Sequence, residues 1–313
     1  MNQPAESSRP WQATASILSK FGLSGRGLVI AVPTLWLFVF FLVPFLVVLK
    51  ISFAEPLIAR PPYSPLFIEG PDGWTIQGTF SNYAYLWEDT LYIKAYLSSI
   101  KIAFFSTVLA LLIGYPMAYY IARSDEPKRS LLLLLIVLPF WTSFLLRVYA
   151  WIGILKTNGV LNNLLMKLGI IDNPLIIMQT DVAVYIGIVY TYLPFMILPL
   201  YANLVKLDGS LLEASADLGA NPMTTFFRIT LPLSLPGIIA GSMLVFIPAI
   251  GEFVIPALLG GPDTLMIGKI LWSEFFSNRD WPVASAVAIA MLVAIVIPVM
   301  FLRMAQTKAE ENT

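Results

Sequence analysis

The chain has 313 residues, of which 58% are hydrophobic and only 12% charged. A soluble domain is about 25% charged, so water is not the main solvent of this chain. The formal net charge is zero, and there is no His and no Cys, which argues against a basic nucleic-acid binder and excludes disulfides, thiolate nucleophiles, Cys/His metal sites and histidine acid–base chemistry.

A spanning helix needs about 20 apolar residues, because the hydrocarbon core is roughly 30 Å thick and a helix rises about 1.5 Å per residue. Residues 27–49 carry no charge. That run is longer than the apolar core of a signal peptide, about 7–15 residues. Lys50-Ile51-Ser52-Phe53 follows it in place of a small-x-small cleavage site, so a retained helix is expected. The segment from about 51 to 97 is rich in turn signals: Pro61, Pro62, Pro65 and Gly70-Pro71-Asp72-Gly73. Further apolar runs cover 102–122, 130–155 (interrupted only by Arg147), 182–205, 231–259 (interrupted only by Glu252) and 281–302. The expected fold class is an all-α integral membrane protein of six transmembrane helices, with both termini on one side.

Lys and Arg set the orientation. With the N-terminus inside, the inner segments hold Arg9, Lys20, Arg26, Arg123, Lys128, Arg129, Lys206, Arg228, Arg303 and Lys308. The longer outer segments hold Lys50, Arg60, Lys94, Lys156, Lys167, Lys269 and Arg279. The density of positive charge therefore puts both ends in the cytoplasm.

The most informative stretch is the inner connection 206–232, between the fourth and fifth spans. Two short helices fit it. Ser210 suits the N-cap of the first, with Glu213 as its capping-box partner. Gly219 suits a left-handed end. Asn221 suits the next cap with Pro222 at the first helical position, and Pro232 suits the start of the fifth span. Ala214, Ser215 and Ala216 give a narrow surface that another body can approach closely. Glu213 and Asp217 lie one turn apart, where like charges repel, so they serve better facing a basic partner. The plainer reading is a connector with solvated charges.

The residues Glu213-Ala214-Ser215, Gly219, Ile229, Leu231 and Pro232 resemble the "EAA" signature of permease subunits in binding-protein-dependent ABC importers. Ser215 stands where that family usually has a third Ala. The similarity covers about 92–303, the type-1 permease domain. It leaves 1–27 as an N-terminal tail, 28–91 as an extra first helix with its outer loop, and 304–313 as a C-terminal tail. Finer similarity to the polyamine branch, closest to the putrescine-type first permease, lies in Gly114-Tyr115-Pro116, Pro139-Phe140-Trp141, Arg147-Val148-Tyr149-Ala150-Trp151, Gly251-Glu252-Phe253 and Asn278-Arg279-Asp280-Trp281-Pro282.

The resemblance implies a type I ABC importer permease of the bacterial inner membrane. In that family the loop matching Glu213, Ala214, Ser215, Asp217 and Gly219 docks on a cytoplasmic ATPase. The implied partners are two ATP-binding subunits, a second homologous permease, a periplasmic polyamine-binding protein and the lipid bilayer, with no nucleic acid. No cofactor is implied for this chain, and ATP and Mg would be used by the partner ATPase. The chain has no G-x-x-x-x-G-K-[ST] loop, because Gly22–Gly27 lacks the Lys, so an enzyme is not expected. Other solutes of the same machine, a phosphonate or ferric ion, and an ion-coupled carrier are the alternatives. The carrier reading leaves 213–232 without a task.

Charged groups inside a span need a partner or water. Arg147 and Glu252 sit at similar depth, so they either pair with each other or leave Glu252 to an ammonium group of the solute. Equal depth favours pairing. The carboxylate that meets the solute's ammonium would then come from Asp181, the outer loops or the second permease. Trp141, Tyr149, Trp151, Tyr185, Tyr190 and Tyr192 are candidates to hold an ammonium by cation–π attraction. Membrane interfaces also collect such residues without further purpose.

Overall fold

A computed structural model describes residues 25–70 and 73–311. Most of the expected N-terminal tail, including Arg9 and Lys20, and the turn residues Pro71 and Asp72 lie outside the described residues. The first span is α1 (Gly25–Leu37), a π-helical turn (Phe38–Leu42) and α2 (Val43–Ser52). Its membrane-capable stretch, Val29–Ser52, has no buried residue among its most apolar part. Within this span it is α2 that packs against the last helix of the chain.

The outer loop adds what the all-α expectation lacked. Strands β1 (Phe67–Gly70) and β2 (Gly73–Ile76) pair antiparallel, with Phe67 opposite Ile76 and Glu69 opposite Trp74. Helix α3 (Ser81–Glu88) follows. The buried Asn82 amide donates to the carbonyls of Ser52 and Ala54 at 2.9 and 2.8 Å, fastening this loop to the end of α2.

Helix α4 (Thr90–Ala122) starts well before the apolar run at Ile102, because Asp89 caps it by accepting from the Leu91 N–H at 2.8 Å. The third run is not one helix. It divides into α5 (Glu126–Val137), a tight turn (Leu138–Trp141) and α6 (Phe144–Leu155). Pro139 has no N–H to continue the ladder, and Thr142 is extended, with its hydroxyl turned back to the Pro139 carbonyl at 2.8 Å. Helix α7 (Val160–Lys167) and then α8 (Asp181–Leu204) follow.

The connection after α8 holds α9 (Gly209–Asp217), α10 (Pro222–Thr225), a π-helical turn (Phe226–Thr230) and α11 (Leu231–Leu233). The fifth run departs from expectation at both ends. Its helix, α12 (Leu235–Ile250), begins after Ser234 rather than at Pro232, and the 222–233 arm meets it at 65°. It then breaks at Gly251 before α13 (Val254–Leu258). Helix α14 (Ile267–Trp272), a π-helical turn (Ser273–Asn278) and α15 (Trp281–Glu311) complete the chain. The expected tail from 304 continues α15 as helix to Glu311.

Helices α4, α8 and α12 pack on one another as the centre of the bundle. Lipid is as apolar as leucine, so helices associate there through close packing of small residues. Helix α4 supplies a stripe at three- and four-residue steps: Ala95, Ser99, Ala103, Ser106, Ala110, Gly114, Ala118 and Ala122, all buried. Met196, Ile197 and Leu200 of α8 fill the surface opposite at one end of the bundle. At the other end Ile188 joins Ile255, Leu259 and Met266. A Cβ at Gly187 would stand 2.8 Å from Ile255, so the missing side chain is what seats α13 against α8.

Candidate functional site

The 206–234 connection is built from caps. Asp208, not Ser210, caps α9: its carboxylate accepts from the Ser210 N–H at 3.0 Å. The expected capping box is therefore displaced by one Asx residue two positions earlier, and Asp ahead of Gly209 was the available signal. Those same hydrogen bonds hold the Asp208 carboxyl below its ordinary pKa. At the other end Gly219 has φ +77°. The Gly219 N–H donates to the Ala216 carbonyl (2.9 Å) and the Ala220 N–H to the Ser215 carbonyl (3.1 Å). These are the two bonds of a Schellman end, and the left-handed residue it needs is the expected glycine. Asn221 caps α10 as expected, accepting from the Thr224 N–H at 2.8 Å, with Pro222 first in the helix.

Ser215 differs from its expected role. It is buried, and its hydroxyl meets that of Thr225 at 2.7 Å, so it ties α9 to α10 rather than forming outer surface. Ala214, Ala216, Glu213 and Asp217 remain exposed. Leu218 (88% exposed), Met223 and Phe227 join them, so the outward surface mixes two carboxylates with large apolar groups. Ile229 and Leu231 lie on the returning arm and pack partly inward, with Leu231 against the buried cluster around Tyr115. Pro232 sits in α11, just before the bend. At that bend Ser234 is fully buried. Its hydroxyl contacts the Tyr115 hydroxyl and the Leu231 carbonyl, each at 2.9 Å. The Tyr115 ring meets Phe226 edge-on at 5.5 Å.

The second set of candidates lies at the C-terminal break of α12. Glu252 and Arg147 do not pair. Arg129–Glu126 is the one ion pair among the described residues. Glu252 instead caps α13. Its Oε1 accepts from the N–H groups of Phe253, Val254 and Ile255 (3.1, 3.0 and 3.4 Å), and its Oε2 accepts from the Tyr192 hydroxyl at 2.7 Å. The carboxylate compensates the amides freed by the break, which is why it tolerates burial without a cation. The Arg147 guanidinium lies over Phe140, 5.1 Å from the ring centre, and 6.0 Å from Phe144. Phe140 meets Phe195 at 5.3 Å, and Phe195 meets Tyr192 at 6.2 Å. Three rings thus stand between the two charges that equal depth predicted to touch. Phe140 entered the sequence reading only inside the Pro139-Phe140-Trp141 motif and Phe195 not at all, because apolar rings in a span carry no distinguishing signal of their own.

The remaining aromatic candidates separate. Trp151 meets Tyr190 edge-on at 5.3 Å. With Tyr185, Leu109, Ile113 and Leu193 they line a groove of about 480 Å³. Trp141 and Tyr149 are exposed on the outside of the chain. Asp181 accepts from the Thr264 hydroxyl at 2.7 Å.

A family model described as "binding-protein-dependent transport system inner membrane component" matches residues 110–308. The chain belongs to that family. This permease is 43% identical over 264 residues to the spermidine/putrescine transport system permease protein PotB of Haemophilus influenzae, covering 84% of this chain and 88% of the relative. It is 46% identical over 215 residues to PotB of Escherichia coli K12, covering 69% and 78%. A crystal structure of a bacterial ABC transporter involved in alginate import shares the fold, with TM-score 0.64 and 18% identity over 95% of this chain and 98% of that one. The permease is thus a multi-pass inner-membrane subunit of type I fold and not an enzyme. It works with a separate ATPase and a solute-binding protein, as the family's description states for the binding protein.

Proposed function

We propose that this permease moves a polyamine, putrescine or spermidine, into the cytoplasm by alternating access. The observation that carries the solute class is the extent of similarity to PotB proteins, 43% identity across 84% of the chain. The capped segment Asp208–Ser234 is the coupling element. It projects between α8 and α12, and it presents Glu213 and Asp217 beside exposed Leu218 and Met223, a surface suited to a cleft with basic rims on the ATPase. Both termini then lie in the cytoplasm with this segment. The complex holds two ATPase subunits, one copy of this chain and a second homologous permease. ATP and Mg are used by the ATPase, and this chain binds no cofactor.

The solute path runs along the ring faces beside Glu252, with Tyr192 and the Trp151–Tyr190 pair lining it. Ring faces attract alkylammonium groups, worth about 0.5–2 kcal/mol each depending on desolvation. Glu252 and Tyr192 set the negative end of that path.

The test is uptake of labelled putrescine by cells expressing the whole gene cluster, with and without this chain. Spermidine, a phosphonate and ferric ion compete in parallel. Uptake that needs this chain and is blocked only by polyamines is the expected result. Block by phosphonate or ferric ion instead would discard the polyamine assignment and keep the family. Glu213→Ala is expected to insert and assemble normally and to lose uptake. Normal uptake in that variant would sink the coupling role of the segment.

A further inference from the structure

Two charges interrupt the apolar runs of the spans, Arg147 and Glu252. Glu252 is satisfied within the chain by one hydroxyl and three amide donors. Arg147 is not. Its Nε is buried with no acceptor among the described residues, and no carboxylate pairs with its guanidinium there. Phe140 and Phe144 attract the cation through their ring faces, but a ring face accepts none of the five N–H groups in the strong, in-plane manner that guanidinium prefers. An intramembrane arginine faces protein or water rather than lipid, and pairs with an anion or carbonyl.

The surroundings say where the anion comes from. Leu146 (68% exposed), Tyr149 and Trp141 flank Arg147 on an uncovered side of α6 and its preceding turn. That surface is apolar with one positive charge in it, so it fits a transmembrane helix that presents one carboxylate at the same depth. A second copy of this chain does not offer one. Its acidic residues in spans would be Glu252, already occupied as the cap of α13, and Asp181 at the very start of α8, which accepts from the Thr264 hydroxyl.

We infer that α6 docks against a helix of a second, non-identical permease subunit whose Asp or Glu side chain pairs with Arg147. The inference rests on the heteromeric complex proposed above and adds the contact that makes a mixed pair of permeases complete where two copies of this chain are not. It also assigns Arg147 a task in assembly rather than in contact with a cationic solute, which its charge repels.

The chain has no native Cys, so Leu146→Cys and Tyr149→Cys each place a single thiol beside Arg147. The probe is a maleimide–benzophenone cross-linker on the whole complex in native membranes, read by immunoblot. Recovery of both permeases and putrescine uptake in the wild type come first, because their failure overturns the heteromeric reading and not this contact. The expected result is an adduct between this chain and the second permease from both positions. Arg147→Glu is expected to reduce the second permease copurified with this chain by about tenfold, a loss equal to ~1.4 kcal/mol. Arg147→Gln should show the same direction and Arg147→Lys should retain most of the pairing. Monodisperse behaviour of each variant chain alone separates this loss from misfolding. Suppressors of Arg147→Glu should map to an Asp or Glu in a span of the second permease that becomes Lys or Arg.

Three results would overturn the inference. One is an adduct between two copies of this chain. Another is full labelling of both thiols by a water-soluble maleimide with no adduct, which places the surface on a water-filled path. The third is unchanged copurification in Arg147→Glu.

Discussion

Helix α12 is broken at both ends, and the two breaks are held in contrasting ways. At its N-terminal end the chain turns through 65° at Ser234, and the contact across the turn is a neutral hydroxyl pair with Tyr115 of α4. At its C-terminal end the chain turns at Gly251, and the contact is a carboxylate that gathers three amides and the Tyr192 hydroxyl of α8. Each break borrows a tyrosine from a neighbouring central helix. Hydrogen bonds to a charged group are roughly twice as strong as neutral ones. The C-terminal break is therefore the more firmly fixed one. The N-terminal break, next to a π-helical turn and an exposed arm, is held by neutral contacts alone.

The sharpest way to break this comparison is Glu252→Ala. It strands four donors in a buried setting, and stranded donors cost about 1–3 kcal/mol each, so a loss of about 3 kcal/mol or more is expected. Thermal unfolding of the detergent-solubilised chain measures it. A melting temperature equal to wild type would mean that the carboxylate does not hold the junction. Glu252→Gln keeps one acceptor and should fall between.

Tyr115→Phe removes one neutral hydrogen bond and is expected to cost about 1 kcal/mol. If its loss matched that of Glu252→Ala, the contrast between the breaks would be wrong. Gly219→Ala forces a side chain into a left-handed backbone position, at roughly 1–2 kcal/mol. Most of that effect should stay within α9, seen as faster amide exchange at Ala216 to Ala220 and little change in global melting.

The smallest effect concerns pH. The Asp208 carboxyl has a folded pKa below its unfolded value, about 3.9 for a free aspartate. Its capping contribution is therefore complete above the unfolded pKa and is lost as pH falls through the lower, folded one. Amide protection at Ser210 should hold down to about pH 4 and decline below it, and Asp208→Asn should flatten that decline. An unchanged profile in Asp208→Asn would remove Asp208 as its source.

The two breaks also mark the limit of what the residues disclosed. Hydropathy placed α8 well, because an uncharged run such as 182–205 has one solution in lipid, and α8 is Asp181–Leu204. Caps next to Gly and Pro were legible for the same local reason: Gly219 and Asn221 act as their types require. Hydropathy did not see where an apolar run stops being one helix. Pro139 and Gly251 sit among residues as apolar as their neighbours, so the 130–155 and 231–259 runs read as continuous. Pairing by depth failed for Arg147 and Glu252 because depth is one coordinate of three. Phe140, Phe195 and Tyr192 occupy the lateral distance between them. The Ser234–Tyr115 contact joins residues 119 positions apart, beyond any local pattern.

The exposed face of the 208–234 segment has a consequence for the life of the protein in the cell. Leu218, Met223 and Phe227 stand outside the apolar spans, left largely exposed by the described residues. A surface of that kind is what chaperones and membrane proteases recognise as unfinished. A permease synthesised faster than its ATPase would be an orphan to quality control, with a shorter half-life than the assembled copy. The same few side chains proposed to meet the ATPase would then set the ratio at which the subunits accumulate.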